Sequence, residues 1–156
     1  MQPDATTSTQ NLTVMEDAFA ALARRDIDAC LSHMQSDFII NIAGMPYQAR
    51  GHKAWRKNIE TMLKAVPDLE VHVLDMFADN DRVAVRVRFT GTHQGEFLGQ
   101  LGKGGRIDYL SNEIYRFEGG KLAEEWICSD SMTLMTQTSV TSSKRVLLAW
   151  VSGLRL

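Results

Sequence analysis

The side chains in this chain that could best carry out chemistry lie in two segments, 106–117 and 122–130. The alternating pattern of these segments predicts two neighbouring β-strands. Gly119-Gly120 between them is a strong signal for a two-residue hairpin. The simplest register for that turn places carboxyl groups and aromatic rings on one face of the strand pair. We therefore expect this face to form a pocket wall. Its predicted members are Tyr109, Ser111, Glu113, Tyr115, Phe117, Leu122, Glu124, Trp126, Cys128 and Asp130.

A carboxyl group at the inner end of the second strand could act as an acid or a base. In the predicted register Asp130 lies opposite Tyr109, and Trp126 lies opposite Glu113. Apolar surroundings would remove water from the Asp130 carboxylate and raise its pKa from about 3.9 toward neutral pH, where it could exchange protons with a substrate. The alternative is that Asp130 caps a loop or accepts hydrogen bonds from backbone amides at the strand end.

Other residues could assist this carboxyl group. His93 is predicted to point inward, where it would hydrogen-bond the carboxylate or polarise a substrate oxygen, unless it is a satisfied structural histidine. Trp126 would either line the pocket or pack in the core. Glu113 is a secondary candidate, whereas Glu124 near the hairpin is predicted to be a surface charge. The remaining predicted substrate-binding residues are Tyr109, Tyr115, Phe89 and Phe97.

Other kinds of site have little support in the sequence. His52 and His72 lie apart from each other and from acidic residues at ligand spacing, so we predict no metal site. The glycines at 102, 104 and 105 do not join a strand to a helix, as a phosphate-binding loop requires. A Gly-x-Ser-x-Gly motif and a paired Cys/His nucleophile are also missing from the sequence.

The composition is typical of one globular domain. The chain has 156 residues, of which 44% are hydrophobic and 23% charged, and its formal charge of −2 gives no electrostatic footprint for nucleic acid or membrane. Cys30 and Cys128 are far apart and are predicted to be free thiols. The polar N-terminus does not resemble a secretion signal, and the apolar run at 146–151 is shorter than the ~20 residues of a membrane helix. We expect a cytoplasmic protein.

The elements that must position these residues are helices in the first part of the chain and strands in the second. Alternation predicts that Val83, Val85 and Val87 face the interior and that Asp75 lies opposite Arg86 on the polar side. This order predicts an α+β fold in which three N-terminal helices cover one face of a strongly bent antiparallel sheet. The predicted elements are a helix capped by Asn11 or Thr13, a helix capped by Asp26, a strand at 37–43, a helix from Gly51 that Pro67 ends, and strands at 71–78, 82–93, 106–117 and 122–130.

The predicted domain plan has three parts. Residues 1–10 are a polar, disordered lead-in, residues 11–137 form the domain, and residues 138–156 form a linker and an apolar tail. The tail is expected to dock on the domain or on a partner subunit.

Several motifs, in this order along the chain, resemble those of the SnoaL-like polyketide cyclases. The resemblance covers roughly residues 12 to 137 and implies the cone of the nuclear transport factor 2 type, in which three helices close a curved sheet around a deep hydrophobic pocket. The motifs are Gly51-His-Lys-Ala-Trp, Val66-Pro-Asp-Leu, Ala78-Asp-Asn-Asp-Arg-Val-Ala-Val-Arg, Gly91-Thr-His-Gln-Gly-Glu-Phe-Leu-Gly, Gly102-Lys-Gly-Gly-Arg and Arg116-Phe-Glu-Gly-Gly-Lys-Leu-Ala-Glu-Glu-Trp-Ile-Cys-Ser-Asp.

The resemblance also implies a reaction and a site. In the better-known members an aspartate four residues after the last-strand tryptophan acts as acid and base, and here that spacing leads from Trp126 to Asp130. The family's reaction is a cofactor-independent, aldol-type ring closure, so a small hydrophobic polycarbonyl substrate is implied. A homodimer is also expected, because sheets of this fold commonly pair through their convex face. The chain departs from the family at Gly104-Gly105 and at 135–138, so the mouth of the pocket is expected to differ.

Two further classes of function stay open. The same cone could host a ketosteroid-isomerase-like proton shuttle, a dehydratase or an epoxide hydrolase. Epoxide opening needs a buried Asp-Arg-Asp set, whereas Arg86 and Arg88 are predicted on the polar face, and an isomerase base would lie near the first strand, which offers only Asn41. The third class is a non-catalytic ligand-binding or dimerisation module, in which the tail from Lys144 matters more than Asp130. An enclosed cavity would favour the enzymes.

Overall fold

A computed structural model of the protein describes residues 5–139. Helices and strands are mixed as the α+β prediction requires, and a curved sheet lies against the helices. The helices are α1 (Ala5–Ala23), α2 (Ile27–Ser32), α3 (Gly51–Ala65) and α4 (Ser131–Gln137). The strands are β1 (Met34–Ile42), β2 (Ala49–Arg50), β3 (Glu70–Asp79), β4 (Arg82–His93), β5 (Glu96–Phe97), β6 (Gln100–Leu101), β7 (Gly105–Glu118) and β8 (Lys121–Ser129).

The main sheet has six strands in the order β2-β1-β8-β7-β4-β3, and β5 and β6 form a separate small hairpin. The prediction of a wholly antiparallel sheet is wrong at one place, because β1 and β8 run parallel. Parallel neighbours need a long connection, and the whole chain from β2 to β7 lies between these two strands. The sheet ends at β2 on one side and β3 on the other, so it is open and not closed into a barrel.

The helices differ from the prediction in number and extent. In the described part of the chain there are four, because α4 follows the last strand and contacts β7. The helix α1 begins at Ala5, within the segment predicted to be disordered. Asn11, a predicted cap, lies inside α1, where its side-chain amide donates a hydrogen bond to the Asn80 carbonyl oxygen at 3.0 Å. The predicted linker and tail lie outside the described residues from position 140 onward.

Several local predictions are confirmed. Asp26 caps α2 by accepting a hydrogen bond from the backbone amide of Ala29 at 3.0 Å. Strand β4 has the predicted bounds, and Asp75 pairs with Arg86 at 3.7 Å from carboxylate oxygen to guanidinium nitrogen. The buried valines of β4 define the inner face of the sheet, which packs on the helices. They are Val83, Val85 and Val87.

A bulge between β7 and β8 changes the predicted register. Phe117 pairs with Leu122 as the hairpin signal predicts, but Arg116 then pairs with Glu124, so that Ala123 is an extra residue on β8. Since side chains alternate between faces, one extra residue transfers every later side chain of β8 to the opposite face. Glu125 therefore lies on the inner face, where Glu124 and Trp126 were predicted. None of the helices within residues 5–139 is long and apolar enough to span a membrane.

Candidate active site

A cavity of about 240 Å³ lies between the inner face of the sheet and the helices. Apolar side chains of α1, α3 and α4 line one side of it, among them Phe19, Trp55 and Leu134. The opposite wall is formed by β4, β7 and β8. That wall carries Phe89, Tyr109, Glu113, Tyr115, Glu125 and Ser129. The cavity thus brings two carboxyl groups into a mainly apolar space, and its lining residues include no lysine, arginine or histidine.

Glu113 lies near the middle of β7 and is buried, with 6% of its surface exposed. The Tyr115 hydroxyl donates a hydrogen bond to Glu113 Oε2 at 2.5 Å. Burial raises the pKa of the Glu113 carboxyl above its usual range, because the charged form loses its hydration. Hydrogen bonds from Tyr115 and Ser111 stabilise the carboxylate and act in the opposite direction on its pKa. The sequence predicted this residue only as a secondary candidate.

Glu125 is a second carboxyl residue of the cavity, and the sequence patterns did not predict it there. It lies on β8 directly opposite Tyr115 and is 3% exposed. Burial raises its pKa well above the usual range, and the charge of Glu113 raises it further. Within residues 5–139, no hydrogen bond reaches its carboxyl group. Burial and the Glu113 charge therefore both favour the protonated form of the Glu125 carboxyl.

The signal that could have revealed Glu125 is the pair Leu122-Ala123. Both side chains are buried, although neighbours in a regular strand point to opposite faces. Two adjacent apolar residues just after a turn indicate an irregular strand start, and the extra residue places Glu125 on the face of Tyr115.

Two aromatic side chains stack on each other in the sheet wall of the cavity. Phe89 and Tyr109 stack with their ring centroids 5.2 Å apart and their planes inclined by 22°. Burial raises the pKa of Tyr109, and the nearby Glu113 carboxylate adds to the effect, so that the phenol stays neutral. The structure thus brings Phe89, Tyr109, Glu113 and Tyr115 together as the sequence predicted.

Asp130 has a different environment from the one predicted. Strand β8 ends at Ser129, and Asp130 is the N-cap of α4. Its carboxylate accepts hydrogen bonds from the Thr133 backbone amide at 3.0 Å and the Thr133 hydroxyl at 2.7 Å. These bonds lower the pKa of the exposed Asp130 carboxyl, so the prediction of a raised pKa is wrong. Its contacts match the capping alternative.

Trp126 and Glu124 lie on the outer face, because the bulge at Ala123 reverses their predicted orientation. The Arg82 guanidinium lies 4.9 Å from the centre of the Trp126 ring, a cation–π contact. Glu124 accepts hydrogen bonds from Arg116 Nε at 3.3 Å and from Asn41 Nδ2 at 3.1 Å. The predicted place of Trp126 on the pocket wall is therefore wrong.

His93 is buried, as predicted, but it does not line the cavity that holds Glu113 and Glu125. It lies at the far end of β4, beside a separate small cavity that Lys103 and Gln137 also line. The Phe97 ring meets the imidazole edge-on, with centroids 6.4 Å apart. The imidazole Nε2 is buried and has no hydrogen-bond partner within the described chain. Proton transfer between His93 and Asp130 thus has no geometric support.

Solved structures share this architecture. AclR from Streptomyces galilaeus, described as a proposed hydroxylase, is 29% identical to this chain and superposes with a TM-score of 0.77. The match covers 86% of this chain and 98% of AclR. A proposed SnoaL-like polyketide cyclase from Jannaschia sp. CCS1 is 23% identical with a TM-score of 0.81, covering 90% and 99%. IdmH from Streptomyces antibioticus, a proposed polyketide cyclase, is 23% identical with a TM-score of 0.72, covering 83% and 99%.

The sequence itself also matches a family model. No curated protein matches the chain. The model of the SnoaL-like polyketide cyclases matches residues 12–138, which include both buried carboxyl residues and every strand of the sheet. The protein therefore belongs to the SnoaL-like polyketide cyclase family.

Proposed function

We propose that the protein closes a ring in a small, neutral polycarbonyl substrate by general acid/base catalysis. The observation that carries this proposal is the presence of two buried carboxyl groups, Glu113 and Glu125, in one apolar cavity. Their raised pKa values suit proton exchange with a substrate near neutral pH. The polyketide cyclase family and the cyclase neighbours support the same class of reaction.

The proposed chemistry is an intramolecular aldol addition without a cofactor. A carboxylate removes a proton from a carbon flanked by carbonyl groups, and the resulting enolate attacks another carbonyl carbon of the same molecule. A carbon–carbon bond forms, and the electron pair of that carbonyl takes a proton to give a hydroxyl group. The substrate's carbonyls delocalise the charge, while the cavity holds the two reacting ends together. No atom is lost from the substrate.

The charge of the cavity indicates which substrates fit. Its lining residues include two carboxyl groups and no cationic side chain to balance a substrate carboxylate or phosphate. A second negative charge in this apolar space would be repelled and poorly solvated. We therefore infer that the substrate enters uncharged, with aromatic or aliphatic surface against Phe89 and Tyr109.

A proton-shuttling isomerase is the second candidate. The same pair of carboxyl groups could move a proton from one carbon to another without forming a ring, and this needs no change in the site. An epoxide hydrolase is less well supported, since Arg86 lies on the outer face and pairs there with Asp75. Because the cavity is not filled by side chains, it favours either enzyme over a module that serves only for dimerisation.

The function can be tested with two neutral probes. We expect the protein to accelerate hydrogen–deuterium exchange at the central carbon of an aryl 1,3-diketone in deuterium oxide, followed by NMR. It should also accelerate ring closure of an aryl-substituted 1,3,7-triketone, in which the carbon between the first two carbonyls can attack the third, followed by chromatography. Exchange without ring closure would support the isomerase, and binding without either reaction would contradict both enzymes.

A homodimer is the second proposal, and the outer face of the sheet is the surface that would form it. This face carries a groove of about 750 Å³ lined by exposed apolar side chains, including Phe77 and Ile114. Contiguous apolar surface of this kind commonly marks an interface. We expect sedimentation of the full chain at micromolar concentration to show a dimer.

Substitutions on two exposed surfaces test where the dimer forms. Phe77→Lys, at a side chain that is 67% exposed on the outer face, should shift the protein to the monomer. Leu101→Lys is the matched control, since Leu101 is 72% exposed but lies on the β5–β6 hairpin. A wild-type monomer would contradict the proposal, as would a dimer that Phe77→Lys leaves intact.

A further inference from the structure

We propose that Glu113 and Glu125 work as one pair that holds a single exchangeable proton, with Glu113 as the carboxylate base and Glu125 as the neutral acid. This inference rests on the proposed function, because it assigns the two proton-transfer steps of the ring closure to particular side chains. It goes further because it assigns one proton to the pair, so that the charge of each glutamate affects the protonation of the other.

The register of the sheet brings the two carboxyl groups together. Glu125 pairs with Tyr115, and Glu113 pairs with Ile127, so the two glutamates are diagonal neighbours on adjacent strands. Diagonal neighbours on one face have Cα atoms about 7–8 Å apart, within the reach of two long side chains. Both side chains line the same cavity and both are almost fully buried. Two negative charges this close and this poorly hydrated repel each other strongly, so one of the two carboxyl groups keeps a proton.

Hydrogen bonds decide which glutamate is ionised. The Tyr115 hydroxyl donates to Glu113 at 2.5 Å, and Ser111 provides a second donor. A hydroxyl donor stabilises a carboxylate, whereas Glu125 receives no such bond within the described residues. Tyr115 is itself buried, and burial raises its pKa well above the usual range, so its hydroxyl remains a donor at every pH at which the protein would act.

Nothing else that lines the cavity competes for this role. The residues that face the pair from α1, α3, α4 and β1 are uncharged, and the polar ones among them are Asn58 and Ser131. Tyr109 is the other titratable group on the wall, and its raised pKa keeps it neutral. Beyond burial itself, the groups that set the charge of the pair are therefore the two glutamates and the hydroxyl donors to Glu113.

A pair of this kind can move two protons in one step. Glu113 takes the proton from the acidic carbon while Glu125 gives its proton to the adjacent carbonyl oxygen, which forms a neutral enol. In the ring-closing step Glu113 returns its proton to the new alkoxide, and the enol hydroxyl returns its proton to Glu125 as the carbonyl forms again. Both side chains end in their starting forms, so the cycle balances.

The pairing is tested by NMR titration of the full-length protein with ¹³C-labelled glutamate carboxyl groups. We expect one buried carboxyl to be neutral and the other ionised at pH 7. In Glu113→Gln the pKa of Glu125 should fall, because the repelling charge is gone. In Tyr115→Phe, which conserves the ring, the pKa of Glu113 should rise. Glu124→Gln, at the neighbouring carboxyl on the outer face, should change neither titration.

The outcomes separate the pairing from the function. Two glutamates that titrate independently near pH 4.5 would overturn the pairing, even if each Gln variant loses ring closure and the proposed function stands. A Glu125 titration that Glu113→Gln leaves unchanged would also overturn it. Coupled titration without turnover of either carbonyl probe would instead remove the proposed function and retain the pair. Circular dichroism melting of each variant shows whether the fold is intact.

Discussion

Replacing Glu125 with glutamine is expected to reduce the kcat of ring closure by about 10²–10⁴-fold while the protein stays folded. Glutamine has nearly the same size and fits the same buried position, but it carries no exchangeable carboxyl proton. Because Glu125 makes no hydrogen bond within residues 5–139, the substitution removes no contact that stabilises the fold. The loss should therefore appear in kcat, with the melting temperature unchanged or raised.

Asp130→Asn is the informative comparison. Asparagine is as good an N-cap as aspartate, and it can accept the same hydrogen bond from the Thr133 backbone amide. We expect this variant to retain activity close to that of the wild type. Steady-state kinetics and thermal melting of both variants show whether Glu125 or Asp130 is the acid/base residue. A large loss of kcat in Asp130→Asn with full activity in Glu125→Gln would contradict the site proposed here and restore Asp130 as the acid/base residue.

Gly95→Ala is expected to destabilise the protein by about 1–3 kcal/mol, or roughly 2–12 °C in melting temperature. Gly95 lies against the last turn of α3, and an added Cβ would overlap the Lys64 carbonyl oxygen and lie 2.9 Å from the Lys64 carbonyl carbon. Backbone atoms cannot move aside as a side chain can. The substitution would push the β5–β6 hairpin away from α3, where Gln94 and Gly95 both donate hydrogen bonds to the Ala65 carbonyl oxygen.

Gly105→Ala provides the matched control. An added Cβ there would lie 3.5 Å from the Gln137 carbonyl oxygen, an ordinary contact, and Gly105 has no positive φ. Differential scanning calorimetry should show a clear decrease for Gly95→Ala and little change for Gly105→Ala. Equal melting temperatures for the two variants would show that the hairpin tolerates displacement and that this contact contributes little to stability.

Most of the elements could be predicted from the sequence, because local patterns specify them. The cap at Asp26, the start of α3 at Gly51 and the bounds of β4 each follow from residues within a few positions. The inner face of β4 is equally clear, since alternating valines leave only one side apolar. Such features depend on near neighbours in the chain, which a single sequence displays.

The parts that could not be predicted depend on contacts between distant segments. The parallel pairing of β1 with β8 joins residues more than eighty positions apart, and no local pattern specifies it. The helix α4 has only seven residues, too few to show a convincing helical period. A spacing rule placed Asp130 in the pocket because it assumed that β8 continues, whereas the chain turns at Asp130 to start α4.

Only one of the two buried carboxyl residues could be predicted from the sequence, for the same reason. Glu113 and Tyr115 lie on β7, whose alternation is regular, so their common face could be predicted. Glu125 lies beyond the bulge, and the register after a bulge depends on how the strands pack. Regular alternation predicted Glu124 and Trp126 in its place.

Because Ala123 is an extra residue on β8, deleting or inserting one residue here would alter the proposed site more than replacing one residue by another. Deleting Ala123 alone would rotate the rest of β8 by half a turn, bringing a bulky indole into the cavity and moving the acid to the opposite surface. In relatives that share the tryptophan–aspartate spacing, the presence or absence of one residue after the hairpin would therefore change which side chains of this strand face inward. Alignments that treat this position as an ordinary gap would transfer catalytic roles to the wrong face of the strand.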